Sequence, residues 1–474
     1  MSVLGAHDNG FPAGGSCCHA LFCVQFRQIY GQEQKAMNIA DKVKMEFENA
    51  INAAIKDWER DYDKPAGLFS RNRKLDRVTM IKLLCLMGGN SLRKELYDYP
   101  GLNVSASSFS ERRAAIDSEL LYYVLRRFSD TDSGNDAFLY KGRKLIAMDG
   151  VNFNTALNKD APSFMPAPNT AKGGYNQYKA TVMVDLLSNQ TVDMVLHPIS
   201  QQNEHEGAAF MVAWNDFPPC IVICDRLYAS YPLIADFQQK GMDFVLRTKQ
   251  NVGALKPIQA LPMKELDVDL EFVLTDSQSK ASKEKGHIYV NTGSKRGKEN
   301  SPKTYVSRFS YPLPYIMRLR VVRGRLPNGD LETLLTSLSR DEFSAAEVME
   351  LYKLRWREEI FFRHIKYDCG ASRMKCKKED YSKQEIYGHF IASAAVRKII
   401  NGIVLAQKPD NAYEYKINIK MATYLVKKFL AAPNASGEQL IADMSRYLVQ
   451  VKPDRANARN LHPTSFVPFN YRVA

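Results

Sequence analysis

Two apolar runs that each stop on an aspartate do most to limit how this chain can fold. Residues 144–150, "KLIAMDG", carry a buried-strand pattern that ends at Asp149, and residues 220–225, "CIVICD", do the same at Asp225. Unbroken apolar runs of this length need cover on both faces, as in a central strand with helices packed on either side. An acid at the end of such a strand sits at the sheet's edge, where it can address a crevice. The segments around the two runs fit the same plan. "YKATVMVDLLS" and "TVDMVLHPI" read as strands joined by a Ser-Asn-Gln turn, and a helix is expected over Glu204–Trp214. A helix near Tyr231–Lys240 and the strand "MDFVLRTK" follow the second run. The order predicts an α/β fold, a mixed sheet with flanking helices.

The flanks differ in period. Residues 1–36 show no sustained periodicity and are expected to be disordered, with Met37 preceding the first helical pattern. Residues 37–135 read as an all-helical N-terminal DNA-binding region, with helices over Asn38–Asp61, Asp76–Tyr97 and Ser107–Phe128. Its segment "SASSFSERRAAI" predicts a turn and a helix start that offers Arg112 and Arg113 to phosphates or base edges. Residues 136–250 form the first part of a core, 251–340 a β-rich insertion with a "PNGD" hairpin turn, and 341–400 the second part of the core. Residues 401–474 read as further helix and a basic tail.

Lys and Arg outnumber Asp and Glu by 13 in 474 residues, which points to a polyanionic partner, nucleic acid before an anionic membrane. No apolar run reaches the ~20 residues that cross a bilayer, so no membrane partner is expected. The eight cysteines include no Cys-x-x-Cys pair and are read as reduced thiols of a cytoplasmic protein. Cys369, Cys376, His364 and His389 match no common zinc spacing.

The basic stretch "YKLRWREEIFFRHIKYD", residues 352–368, holds two adjacent glutamates and falls within one long amphipathic helix opened by a Ser344 cap. At ~100° per residue, Tyr352, Arg355, Glu359 and Lys366 share a stripe about 60° wide, whereas Glu358 lies about 100° from Glu359. Glu359 is therefore expected to face the crevice with Asp149 and Asp225, and Glu358 to face away. Three converging carboxylates repel one another unless a divalent cation compensates them. Hard oxygen ligands suit Mg²⁺, with Mn²⁺ as a substitute, and two such ions can serve both the attacking and the leaving oxygen of a phosphodiester.

The spacing of Tyr352, Arg355, Glu359 and Lys366 resembles the Tyr-Arg-Glu-Lys signature of DDE transposases of the insertion-sequence-four type. "IAMDG" and "ICDRLY" are similar to that family's first and second aspartate motifs, and the resemblance covers about residues 76–400. It implies an RNase H-like catalytic domain interrupted by the β-rich segment. It also implies a homodimer that cuts double-stranded DNA at terminal inverted repeats and transfers the freed 3′-OH ends to target DNA by cut-and-paste chemistry, in a nucleoid-associated cytoplasmic protein. Asp149, Asp225 and Glu359 would be the metal-binding catalytic acids. Tyr352, Arg355 and Lys366 would contact DNA ends, with Arg226, Arg247 and Lys249 as further candidates beside the strand ends. A relative of known mechanism inserts a tryptophan from the β-rich domain where a base is flipped. Here Trp58, Trp214 and Trp356 lie outside that segment, leaving Tyr305, Phe309, Tyr311 or Tyr315 for the stacking role. A non-transposing metal-dependent nuclease and a catalytically inactive DNA-binding descendant stay open as alternatives.

Overall fold

The structure, a computed structural model, describes residues 37–62, 74–130, 138–169, 173–201, 203–250, 255–292, 309–374, 376–407 and 411–451. The expectation for residues 1–36, most of the basic tail, and Tyr305 lie outside the described residues.

Among the described residues five helices lead: α1 (Ile39–Asp61), α2 (Arg77–Leu86), α3 (Leu92–Asp98), α4 (Ala106–Arg113) and α5 (Ser118–Ser129). The two longer helices expected after α1 are each split in two. The first breaks at Gly88-Gly89-Asn90, where Glu95 Oε1 accepts from the backbone N–H of Gly88 and Asn90 at 3.0 and 2.9 Å. The second breaks before Asp117, whose side chain accepts from Leu120 N at 3.1 Å as the cap of α5 and from Trp58 Nε1 at 2.8 Å. Both breaks replace helical bonds by side-chain caps, which the apolar period does not register.

The central segment follows the predicted order closely: β1 (Lys144–Thr155), β2 (Phe164–Pro166), β3 (Gly174–Asp185), β4 (Gln190–Pro198), α6 (Glu204–Trp214), β5 (Cys220–Cys224), α7 (Tyr231–Gln239) and β6 (Asp243–Thr248). β1 does not stop at Asp149. It runs on to Thr155 because β3 pairs with it antiparallel through Thr155↔Asn176, while its parallel pairing with β5 ends at Met148↔Cys224. β5 in turn lies parallel to β6.

The segment expected as a β-rich insertion joins the same sheet. β7 (Leu266–Thr275), β8 (Ile288–Tyr289), β9 (Tyr315–Arg325) and β10 (Leu331–Thr336) complete a ten-stranded sheet of order β2-β3-β1-β5-β6-β10-β9-β7-β8, with β4 on β3. β10 pairs antiparallel with β6 from Thr333↔Thr248 to Thr336↔Val245, so the ladder continues unbroken from one region into the other. Phe309, Tyr311 and Tyr315 pack ring against ring, Phe309 is buried, and Tyr311 donates to Asp236 at 2.5 Å. These three rings are committed to the core and are not free to stack on a base.

The chain then forms α8 (Ala345–Lys353), α9 (Trp356–Arg363), α10 (Glu379–Asn401), β11 (Glu414–Ile417), α11 (Ile419–Ala431), α12 (Gly437–Arg446) and β12 (Leu448–Val451). β1 alternates between two cores. Ile146 and Met148 pack with α6 and α7, and Leu145 and Ala147 pack with Phe343 and α8. A third core joins α1–α5 to α10, α11 and the far half of β1. The N-terminal helices therefore share their interior with the C-terminal ones.

Candidate active site

Asp149 and Asp225 meet because β1 and β5 are parallel neighbours in register, each acid directly following the paired Met148 and Cys224. Tyr352, at the end of α8, donates its hydroxyl to Asp225 Oδ1 at 3.3 Å. Arg355 donates Nη1 to Asp149 Oδ2 at 3.3 Å, and its Nη2 stands 3.8 Å from Glu359 Oε1. Arg247, on β6, reaches Asp225 Oδ1 at 4.0 Å and the buried Glu332 of β10 at 3.4 Å. One guanidinium thus bridges Asp149 and Glu359, and a second bridges Asp225 and Glu332. Among the described residues no three His, Cys, Asp or Glu side chains stand close enough together to hold a metal ion.

The expected single helix is broken here, with consequences for its two glutamates. α8 ends at Lys353, and Leu354 N, Arg355 N, Arg357 N and Glu358 N each bond three residues back, to Leu351, Tyr352, Leu354 and Arg355 carbonyls. Such tightened turns advance about 120° per residue, which eclipses positions i and i+3. Tyr352, Arg355 and Glu358 form the inward row as a result, at 3, 7 and 0% exposure. Glu358 was expected to point away; it is instead the most enclosed acid of the site. Neither of its carboxylate oxygens has a hydrogen-bond partner. Burial raises its pKa well above the usual carboxylate range, with the nearby Asp149 pushing the same way and Arg355 opposing. Glu359 remains one turn from Arg355, with its side chain 36% exposed.

After α9 the backbone opens into a π-helical turn over His364–Asp368, closed by Cys369 N to His364 O at 3.1 Å. The underwound turn places Lys366 toward Phe153 of β1, its Nζ 6.0 Å from the ring centroid. Burial and the neighbouring Lys179 both lower its pKa.

The sequence pattern missed a further layer around Asp149. Glu204 opens α6, accepts from Tyr228 OH at 3.1 Å and pairs with Lys179 of β3 at 2.8 Å. It lies so close to Gly150 that a Cβ there would fall 2.3 Å from Glu204 Oε2. The glycine after the aspartate is a close-approach position, required by its neighbours. Burial raises the pKa of Asp149, Glu204 and Asp225 add to that, and the Gly150 N–H and Arg355 oppose it. An acid at a helix start is too common to signal a site; Lys179 within an apolar strand was the one visible cue.

The remaining candidates divide. Arg226, in the 3₁₀ turn after Asp225, and Lys249, after β6, are exposed just beyond the ends of the parallel strands β5 and β6. Arg113, expected to reach DNA, is buried: its Nε donates to Gln384 and its Nη2 to Tyr381 O, both at 2.8 Å, so it fastens α4 to α10. Arg112 donates Nε and Nη2 to Leu75 O at 3.3 and 3.2 Å, holding α4 against the start of α2.

Residues 140–394, more than half of the chain, match the family model described as a transposase DDE domain. A 67-residue stretch is 34% identical to the Escherichia coli (strain K12) protein InsL of insertion sequence element IS186A, covering 14% of this chain and 18% of that protein. The same identity over the same length relates it to the Escherichia coli transposase for insertion sequence element IS421. The aligned stretch thus spans under a fifth of these curated relatives. Among solved structures, the piggyBac transposase synaptic complex with hairpin DNA aligns over 94% of this chain and 84% of that one, at 12% identity and a TM-score of 0.39.

Proposed function

The chain belongs to the transposase DDE family of insertion sequences, and from that premise we propose that it binds terminal inverted repeats, cuts the DNA there and joins the freed 3′-OH ends to target DNA, by cut-and-paste. The observation that carries the reading is the pairing of Asp149 and Asp225 across parallel β1 and β5, with Tyr352, Arg355 and Arg247 closing over them. The order β4-β3-β1-β5-β6, three antiparallel strands followed by two parallel to β1, supports an RNase H-like core.

The donor set fits a hard divalent cation, since a buried carboxylate with two orphaned oxygens stands beside Asp149. Asp149 and Asp225, joined by Glu359 once Arg355 no longer stands between it and Asp149, are proposed to hold Mg²⁺, or Mn²⁺ in its place, which when bound would supply charge neutralisation at the scissile phosphate and an activated oxygen nucleophile. The chain's own residues do the positioning. Lys179 and Lys366 present two cations on the β1–β3 side, and Arg226, Arg247 and Lys249 present others beyond β5 and β6. A duplex backbone laid over Asp149 would be held from both flanks by these charges. Arg355 is placed to give up its contact with Asp149 and Glu359 to a phosphate oxygen, which a planar guanidinium binds in bidentate fashion. Two synapsed ends call for two copies of the chain, so a homodimer working in the cytoplasm on nucleoid DNA is part of the proposal. Among the described residues no helix is long and apolar enough to cross a membrane.

The test is Mg²⁺-dependent cleavage of plasmid DNA carrying the element's own flanking repeats, with Asp149→Asn, Asp225→Asn and Glu359→Gln beside the wild type. Cuts at fixed repeat ends, lost in each variant while DNA binding persists, are the expected outcome. Scattered cuts would favour a nuclease without strand transfer, and binding without cleavage, with Mn²⁺ also failing, a descendant that only binds DNA.

A further inference from the structure

Resting on that reading, we infer that Glu358 is a further acid of the same seat, forming with Asp149 a two-carboxylate ligand for a divalent cation. No part of the Tyr-Arg-Glu-Lys pattern assigns it a role.

The argument starts from what its position costs. Glu358 is fully enclosed, and neither oxygen accepts a hydrogen bond from any donor. A buried carboxylate without donors is among the least favourable groups a fold can hold, and an apolar side chain of similar volume would pack there at lower cost. Arg355 offsets this cost only in part and donates no hydrogen bond to Glu358. Arg355 directs Nη1 to Asp149 and Nη2 toward Glu359, and Lys179 is paired with Glu204. The charge of Glu358 is felt by another acid, Asp149, by the Cys224 thiol at the end of β5 and by Tyr228 in the 3₁₀ turn that follows.

Two carboxylates that repel, one of them fully buried, are relieved when one divalent cation is shared between them. Mg²⁺ and Mn²⁺ are commonly bound by one or two carboxylates, with phosphate oxygens and water completing the shell, so no third protein acid is required. Access is available from the Asp149 side, whose side chain is 27% exposed. The tightened turn at Leu354–Arg355 delivers Glu358 into the inward row, and a regular helix through these residues would have turned it out.

The experiment is a titration of the full-length protein with Mn²⁺ alone, free Mn²⁺ being read by its paramagnetic resonance, for wild type, Asp149→Asn and Glu358→Gln. Glu358→Gln is expected to weaken Mn²⁺ binding at least about 10-fold, in step with Asp149→Asn. Wild-type binding by Glu358→Gln alongside a loss in Asp149→Asn overturns the role of Glu358 and leaves the proposed site standing. Wild-type binding by both variants, or none by the wild type, overturns the site itself. Glu358→Leu separates ligation from packing. It is expected to melt at a higher temperature than wild type without added ion, and to lose the rise in melting temperature that Mn²⁺ gives the wild type. A lower melting temperature with that rise intact would make Glu358 a packing residue and overturn the inference.

Discussion

Gly150 shows how closely the residues of the site constrain one another. A methyl group at this position would collide with Glu204 Oε2 and with Lys179 Cε, 2.3 and 2.4 Å from the added carbon, and both of those groups are pinned by their mutual ion pair. Gly150→Ala is expected to cost about 1–3 kcal/mol by overpacking and to displace Asp149 from Arg355. Pairing it with Glu204→Ala, which removes the obstructing carboxylate, should restore much of the melting temperature; a double variant no more stable than the single one would place the strain elsewhere. At this scale the sequence was informative about the two aspartates, because an acid ending an apolar run is a visible contrast. It was silent about Glu204 and Glu332, whose functional neighbours come from strands and helices distant in the chain.

Among the elements, the segment from Ser344 to Asp368 carries the most information and was only half legible. Its start could be read: Ser344 caps α8, Glu347 returns the bond to Ser344 N at 2.8 Å, and Lys141 pairs with Glu347 at 2.9 Å. Ser344→Ala should cost about 1 kcal/mol in chemical denaturation. The Lys141 ammonium and the Ser344 donors hold the Glu347 pKa down to about 2 from its usual 4.5. A depressed acid stabilises the fold above its unfolded pKa, so this contribution should be complete above about pH 5 and fade as pH falls from 4.5 toward 2. Glu347→Gln should flatten that part of the acid-unfolding profile; an unchanged profile would remove the cap from the account. The interior of the segment could not be read, because the apolar period of a few residues does not distinguish an α-helix from a 3₁₀ or π turn. Those two irregularities decide that Glu358 turns inward and that Lys366 approaches Phe153.

Over the whole molecule, helices at the two ends of the chain enclose one interior. Arg113 is the clearest fastening, bonded to Gln384 and to Tyr381 O with its guanidinium 4.5 Å from the Tyr381 ring centroid. Arg113→Ala is expected to lower stability by roughly 3–5 kcal/mol while leaving the DNA affinity of the molecules still folded unchanged. A fall in that affinity would return Arg113 to the DNA-contact list. The order of strands and helices from Lys144 through Thr248 was legible, the short β2 apart, because each element carries its own period. The union of the N-terminal helices with α10, and of β10 with β6, was not, since each rests on pairing between segments far apart in sequence.

The β6–β10 ladder bears on how such a protein can change over time. A region hung on a flexible tether could be lengthened, replaced or grafted without regard to its host. Here Glu332 and Arg247 meet because their strands are aligned residue for residue, and a slip of one position would turn Glu332 to the opposite face of the sheet. The outer strands are thus not an interchangeable cassette. Any insertion or exchange between Asn251 and Ser339 has to arrive back in step with β6, so drift in length is confined to the loops.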